Sequence, residues 1–297
     1  MRQGRFRGSP PVSAPRRFDH TALSDLGRCE EYFARRHRDG LDRPEPSAAQ
    51  ACGTAIHAGV RAYYAGHNDG LVAEATLKGY GAALPGTDYR TPTLAVDYVA
   101  AYMRAYPKPW PFAILWNEGY IEGEDFTGIP DRCVRRTLDG LCYPFDLKTT
   151  SGWLGTAWQE QWAYSQQAAM QMTLLEHRLK LPMAGFWMDA VYLSSRKAGP
   201  QASDFVRCGP FTYTPAVRAE LLAQVVYDSV RANEIVAGTG APPRPTGVRT
   251  GGCTAYNKLC AFHRFCRLDP SDRADAYNVA RATGELVERR WEPASRG

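Results

Sequence analysis

Gly128-Ile129-Pro130-Asp131 and Tyr143-Pro144-Phe145-Asp146-Leu147-Lys148-Thr149-Thr150 bring two acids and a lysine together at strand spacing. Residues 133–136 and 141–147 read as two strands around Leu138-Asp139-Gly140, because Asp-Gly between strand-like runs is a strong hairpin signal. Strand side chains alternate with period two, so Asp146 and Lys148 share one face while Leu147 points to the opposite, apolar side. A two-residue loop centred on 138–139 sets Asp131 opposite Asp146, and one centred on 139–140 sets it opposite Lys148. In either register the three polar groups converge.

Two carboxylates a few ångströms apart repel and raise each other's pKa unless a cation lies between them, and Lys148 alone cannot neutralise both. A hard divalent ion resolves the conflict, since it takes oxygen ligands, polarises a phosphoryl oxygen and lowers the pKa of a bound water. Taken alone, Asp-x-Lys is so common that an ordinary surface ion pair explains it better. Its neighbours in sequence shift that balance. Gly53-Thr54-Ala55-Ile56-His57 opens a predicted helix whose Ile56, Val60 and Tyr63 form an apolar face, leaving His57, Arg61 and Tyr64 on another side. Downstream, residues 158–179 read as one long helical run containing Gln166 and Gln167. A lone histidine or glutamine would mean little in either place.

In the order Gly-x-x-x-His, Gly-x-x-Asp, Asp-x-Lys and Gln-rich helix, the chain resembles the PD-(D/E)XK nuclease superfamily. Within it the likeness is to the RecB-like exonuclease group with an iron–sulfur cluster, of phage or CRISPR-associated type, over about residues 21–266. The resemblance implies an α/β fold: a restriction-endonuclease-like core with a central mixed β-sheet flanked by helices, its terminal segments joined by a four-cysteine metal centre. It implies His57, Asp131, Asp146 and the Leu147 carbonyl as ligands of Mg2+ or Mn2+, with Lys148 catalytic. The family's Gln-x-x-x-Tyr finds its best counterpart in Gln167-Ala168-Ala169-Met170-Gln171, with Gln in place of Tyr; Gln166 competes with Gln167 for the role. Glu118 and Glu122, on a strand-like run over 112–121, rank below these as extra carboxylates.

The chain has eight cysteines, no hydrophobic signal peptide and no apolar stretch of membrane-spanning length, so it reads as cytoplasmic with reduced thiols. Cys253, Cys260 and Cys266 fall in one short segment rich in aromatic and basic residues, and a metal centre usually needs four ligands. Cys29, within a run resembling the first helix of RecB-like nucleases, is the fourth candidate, and the resemblance implies a [4Fe-4S] cluster on these four. Their spacing, six residues then five, departs from the common pattern of several relatives, and zinc is the second option because four thiolates suit either metal. Such a clip joins segments far apart in sequence and would hold the ends of the fold around the core. Cys52, Cys133, Cys142 and Cys208 read as small buried residues.

The 297 residues, 44% hydrophobic, suffice for one large domain at 18–290 including the cysteine-rich segment 253–266, with a flexible basic arm at 1–17 and a tail at 291–297. No internal repeat or interdomain linker is visible. Residues 183–193 read as a buried strand, 203–213 as its neighbour, 215–237 as a helix with a stripe of Val217, Leu221, Val225, Tyr227 and Val230, 237–252 as a loop, and the stretch after Pro270 as helical. The net charge of +5 agrees with a polyanionic partner, and Arg132, Arg135, Arg136 and Arg196 are candidates for phosphate contact. Trp110, Trp116, Trp153, Trp158 and Trp162 read mainly as packing, with one or two available to stack on unpaired bases. The expectation is a metal-dependent deoxyribonuclease acting at DNA ends or single strands and leaving a 5′-phosphate and a 3′-hydroxyl. The alternative is a non-cleaving nucleic-acid-binding scaffold, or a subunit docking a helicase or recombinase.

Overall fold

The computed structural model describes residues 15–43, 46–81, 88–152, 154–196, 198–257 and 259–289; residues 1–14 of the basic arm, Trp153 and the tail 291–297 lie outside them. In chain order the elements are α1 (His20–Arg28), α2 (Glu30–Phe33), β1 (Leu41–Asp42), α3 (Ala48–Tyr64), α4 (Asp69–Tyr80), α5 (Pro92–Ala105), β2 (Phe112–Asn117), β3 (Ile121–Glu122), β4 (Thr127–Gly128), β5 (Arg132–Arg136) and β6 (Cys142–Thr150). They continue with α6 (Thr156–Glu160), α7 (Gln166–Leu179), β7 (Phe186–Tyr192), β8 (Phe205–Phe211), α8 (Pro215–Ala237), α9 (Gly247–Thr250), α10 (His263–Cys266), α11 (Pro270–Ala282) and β9 (Val287–Glu288).

Five strands form a mixed sheet in the order β2-β5-β6-β7-β8, antiparallel except for the parallel pair β6–β7. Alternation along the strands divides the core. Val134, Phe145, Leu147 and Val191 face α3, α4 and α5, whereas Cys133, Cys142, Phe186 and Met188 face α1, α7 and α8. Burying a side chain such as Phe145 or Leu147 stabilises the fold by about 1.5–3 kcal/mol, and both are fully enclosed. The result is a mixed α/β fold with helices on both sheet faces, as expected of a restriction-endonuclease-like core.

A third, smaller core of Leu41, Phe262, Phe265, Tyr277 and Leu286 fastens α10 and α11 to the N-terminal region, where β1 pairs with β9. Polar contacts reinforce that junction. Arg231 pairs with Glu30 at 2.9 Å, the Glu30 carboxylate accepts from the Arg244 N–H, and Arg28 donates to the Gly252 carbonyl. Cys52, Cys133, Cys142 and Cys208 are buried, as read from the sequence.

Several expected boundaries move. The hairpin turn spans four residues, not two: Arg136 pairs with Leu141, and Gly140, at φ +69°, donates its N–H back to the Arg136 carbonyl. Helix α3 begins at Ala48, ahead of Gly53, because Ser47 and Gln50 form a capping box; Tyr64 is buried, apart from Arg61. The run 158–179 is broken, since extended Ser165 caps the Ala168 N–H and starts α7 afresh. The strand 112–121 breaks at Glu118, whose φ is +55°. On α8 the buried stripe is Leu221, Val225, Ser229, Ala232 and Ile235, leaving Tyr227 71% and Val230 58% exposed. The loop 237–252 contains α9, and strand β9 follows α11. Within the described part of the expected arm, Arg17 pairs with Glu122, and the Arg16 N–H donates to Asn233.

Candidate active site

Strand β6 carries Asp146 and Lys148 toward the α7 side, with Leu147 in the opposite core. The β5–β6 ladder pairs Arg132 with Phe145, which extrapolates to Asp131 opposite Asp146, the first of the two expected registers. Asp131 is held at both ends: its carbonyl accepts from the Glu118 N–H at 2.7 Å, and its Oδ2 accepts from the Leu147 N–H at 2.7 Å. The glycines of both motifs mark close approaches. A Cβ on Gly128 would stand 2.8 Å from Leu174 of α7, and one on Gly53 would stand 2.8 Å from Thr149 Oγ1. Only hydrogen at Gly53 lets α3 lie this near β6, and one turn later His57 reaches the acids.

His57 Nδ1 lies 3.5 Å from Asp131 Oδ2, and Lys148 Nζ lies 2.8 Å from Asp146 Oδ2. Asp146 Oδ1 accepts from Gln167 Nε2 at 3.0 Å and from Gln171 Nε2 at 2.7 Å. Strand β6 and helix α7 thus meet around the Asp146 carboxylate, while α3 reaches Asp131. Gln167, not Gln166, is the glutamine at the acid; Gln166 faces a neighbouring cleft.

The two acids are driven apart in pKa. For Asp131, burial raises it, but the charge and hydrogen bond of His57, with Lys148 and Arg132, outweigh burial and bring it down to about 2. For Asp146, only 2% exposed, burial pushes the pKa up and the Asp131 charge adds to that, against the pull of Lys148 and Gln171. Burial depresses the His57 and Lys148 cations, yet the two carboxylates raise both.

Asp146 Oδ2 is the telling atom. Lys148 Nζ stands 2.8 Å from it and is this buried oxygen's partner among the described residues. A hard divalent ion would share the carboxylate with that lysine, and Asp131, the His57 ring and the Leu147 carbonyl are donors of the appropriate type. Among the described residues, no three His, Cys, Asp or Glu side chains form a ready metal cage.

Other expected contacts are redirected. Glu118 pairs with Arg61 at 3.0 Å and Glu122 with Arg17, so neither carboxylate turns to the acid pair. Arg132 is 2% exposed, packed over the Tyr64 and Phe145 rings, and withdrawn from any phosphate; Arg136 pairs with Asp139 and Arg196 with Asp204. Gln171, read from the sequence as standing in place of the family's Tyr one helical turn beyond Gln167, also reaches the acid. One further residue joins the site that sequence reasoning did not assign to it. His20, at the start of α1, gave no such signal, yet burial and the Lys148 charge lower its pKa to about 4.

At the far end, Cys29 lies at the C-cap of α1 with its sulfur 3.9 Å from the Arg244 carbonyl. A Cβ on Gly247 would stand 3.0 Å from Cys253 Sγ and 3.3 Å from Cys29 Cβ, so both cysteines lie against that glycine. The Cys260 N–H donates to the Cys253 carbonyl at 2.9 Å. Burial raises the pKa of Cys253, Cys260 and Cys266, the last to about 12, and nearby Cys29 adds to each. The four expected cysteines thus come from segments that meet at this end of the fold, but among the described residues their side chains do not form a ready metal cage.

A family model of the PD-(D/E)XK nuclease superfamily matches residues 17–267. The crystal structure of a protein from Eubacterium rectale, named "putative exonuclease", is similar with a TM-score of 0.50 and 15% sequence identity, over 85% of this chain and 89% of that one; at this identity the likeness speaks for the fold. No curated protein matches the chain by sequence.

Proposed function

The chain belongs to the PD-(D/E)XK nuclease superfamily, and from that premise we propose that it is a Mg2+- or Mn2+-dependent deoxyribonuclease working at DNA ends. The observation that carries this reading is the convergence of His57, Asp131, Asp146 and Lys148, with His57 Nδ1 3.5 Å from Asp131 Oδ2 and Lys148 Nζ 2.8 Å from Asp146 Oδ2. His57, Asp131, Asp146 and the Leu147 carbonyl would hold the ion. When bound, it supplies Lewis-acid polarisation of the phosphate and a more acidic water. Gln167 and Gln171 grip Asp146 Oδ1, which aims Oδ2 away from α7. Lys148 would orient the attacking water and offset the charge that develops on the phosphate. The preference for ends and the 5′-phosphate product come from the likeness to RecB-like exonucleases. No helix among the described residues is long and apolar enough to cross a membrane.

As part of the same reading, Cys29, Cys253, Cys260 and Cys266 hold a structural [4Fe-4S] cluster, with zinc the second option. Its role is to fasten a junction that the third core and the Glu30–Arg231 pair already bring together.

Digestion of end-labelled linear DNA and of circular DNA, each with Mg2+, Mn2+ or EDTA, tests the activity. The expected result is degradation of linear DNA with either metal, none in EDTA, and sparing of the circle. Undiminished cleavage by purified Lys148→Ala would remove the site.

A further inference from the structure

A cleft of about 580 Å³ opens beside Lys148, between the start of α1, residues 161–166 and α8. Its walls include His20, Trp162, Gln166, Glu220, Leu221 and Gln224. Pockets of about 300–1,000 Å³ are the usual size for a small ring system. The cleft adjoins the reacting group: Lys148 Nζ lies 5.9 Å from the Trp162 ring centroid, and its charge reaches His20.

The chemistry of the lining selects the occupant. Among the described residues no lysine or arginine lines it, and the Glu220 carboxylate there accepts from the Tyr164 hydroxyl at 2.8 Å. Burial, with Lys148 nearby, keeps the His20 imidazole neutral at pH 7. A phosphate here would meet the Glu220 carboxylate with no cation in the lining itself, Lys148 standing beyond the Trp162 ring, which is unfavourable. A flat, uncharged ring with polar edges is suited, because Trp162 and Leu221 give it apolar surface. The Gln166 amide and the His20 imidazole, which have no hydrogen-bond partner among the described residues, give it polar groups to meet. Tyr164, 56% exposed at the rim, adds a second aromatic face.

We propose that this cleft receives an unpaired nucleobase of the strand being cut, next to the scissile phosphate, and so gives the enzyme a preference for single-stranded ends. This rests on the nuclease reading above for the identity of the strand. A base held in the cleft cannot remain paired in a duplex, so duplex ends must fray before cutting.

The test uses the full-length protein and a single-stranded oligonucleotide in which one abasic residue is moved through successive positions. Cleavage of each phosphodiester is followed in Mg2+. One register of the abasic residue should slow cleavage of the adjacent bond about tenfold, the size expected for losing one base–aromatic stack. The cleft-filling Gln224→Trp variant should remove that dependence on register. In parallel, binding of a 2-aminopurine-labelled oligonucleotide is read by fluorescence in EDTA, where no cleavage is expected. Quenching that Gln224→Trp abolishes, from a wild type that never cuts, would keep the base site and remove the nuclease reading. Cutting with no abasic register effect would overturn the base site and keep the nuclease. Absence of both the register effect and the quenching would also overturn the base site.

Discussion

Replacing Gln171 with Met separates what its amide does for folding from what it does for the site. Gln171 Nε2 donates to Asp146 Oδ1 at 2.7 Å, with both residues buried. A hydrogen bond to a charged group contributes about 1.5–3 kcal/mol, and the substitution loses it. The other half of the amide, Oε1, is buried without a hydrogen-bond partner among the described residues. Leaving such an acceptor unsatisfied costs about 1–3 kcal/mol, and the substitution removes that cost. Methionine keeps the volume and is a good helix former. The two effects nearly cancel, so Tm should move by less than about 3 °C. Metal use has no such compensation. Asp146 Oδ1 would keep only the 3.0 Å bond from Gln167, freeing the carboxylate to turn toward Lys148. Loss of a group that orients a metal-binding side chain typically costs about 10–100-fold in affinity. The Mg2+ concentration for half-maximal cleavage of end-labelled DNA should therefore rise at least about tenfold. An unchanged Mg2+ midpoint would refute the aiming role, and a Tm drop of about 10 °C would refute the cancellation.

Gly53→Ala gains up to about 1 kcal/mol of helix propensity but pushes a methyl against Thr149 Oγ1; activity should fall, and adding Thr149→Ala should restore it, whereas failure of that rescue would mean α3 is not positioned through this contact. If the proposed cluster is iron–sulfur, Cys260→Ser should abolish its brown colour and bound iron and lower soluble yield; a colourless wild type purified anaerobically with zinc would select zinc instead. His20 carries a pH signature. Its pKa is about 4 when folded against 6.5 in the unfolded chain, so the stability it supports is intact above pH 6.5 and is lost as pH falls from 6.5 toward 4, because only the unfolded chain takes the proton. The loss amounts to about 2–3 kcal/mol at most, and Tm of His20→Gln should fall less than wild type over that window; parallel curves would contradict it.

Much of the site was legible because it depends on local spacing. Period-two alternation in β6 separates Asp146 and Lys148 from Leu147, and the β5–β6 ladder places Asp131 opposite Asp146. Helix α8 was legible in extent because Thr214 and Pro215 start it and Gly238 ends it in a left-handed cap. Its buried face was not, since small residues, Ser229 and Ala232, fill the close contact while the larger Tyr227 and Val230 face outward. The break at Ser165 was hidden because a serine inside a helical pattern becomes a cap only when the chain around it turns. His20 was hidden for a different reason: the fold brings it to Lys148 from the other end of the chain.

Arg132 shows how far the same local rule could have reached. Adjacent strand residues point to opposite faces, so if Asp131 turns toward His57 and Asp146 then Arg132 must turn into the core with its cross-strand neighbour Phe145. There it meets Asp189 at 3.9 Å, and Asp189 is already bound by both ends of Arg207 and by the Tyr102 hydroxyl. Two guanidiniums thus share one carboxylate, with aromatic faces of Tyr64, Tyr106, Phe112 and Phe145 over the cations. Removing one partner from such a buried group is costly, while the intact group need not add net stability. Its value here lies in its sign and position. The excess positive charge sits one residue from Asp131 and helps keep that carboxylate ionised from behind. A residue that looked like a phosphate contact therefore acts on the site through the sheet, adding a smaller pull to those of His57 and Lys148 on the Asp131 carboxylate.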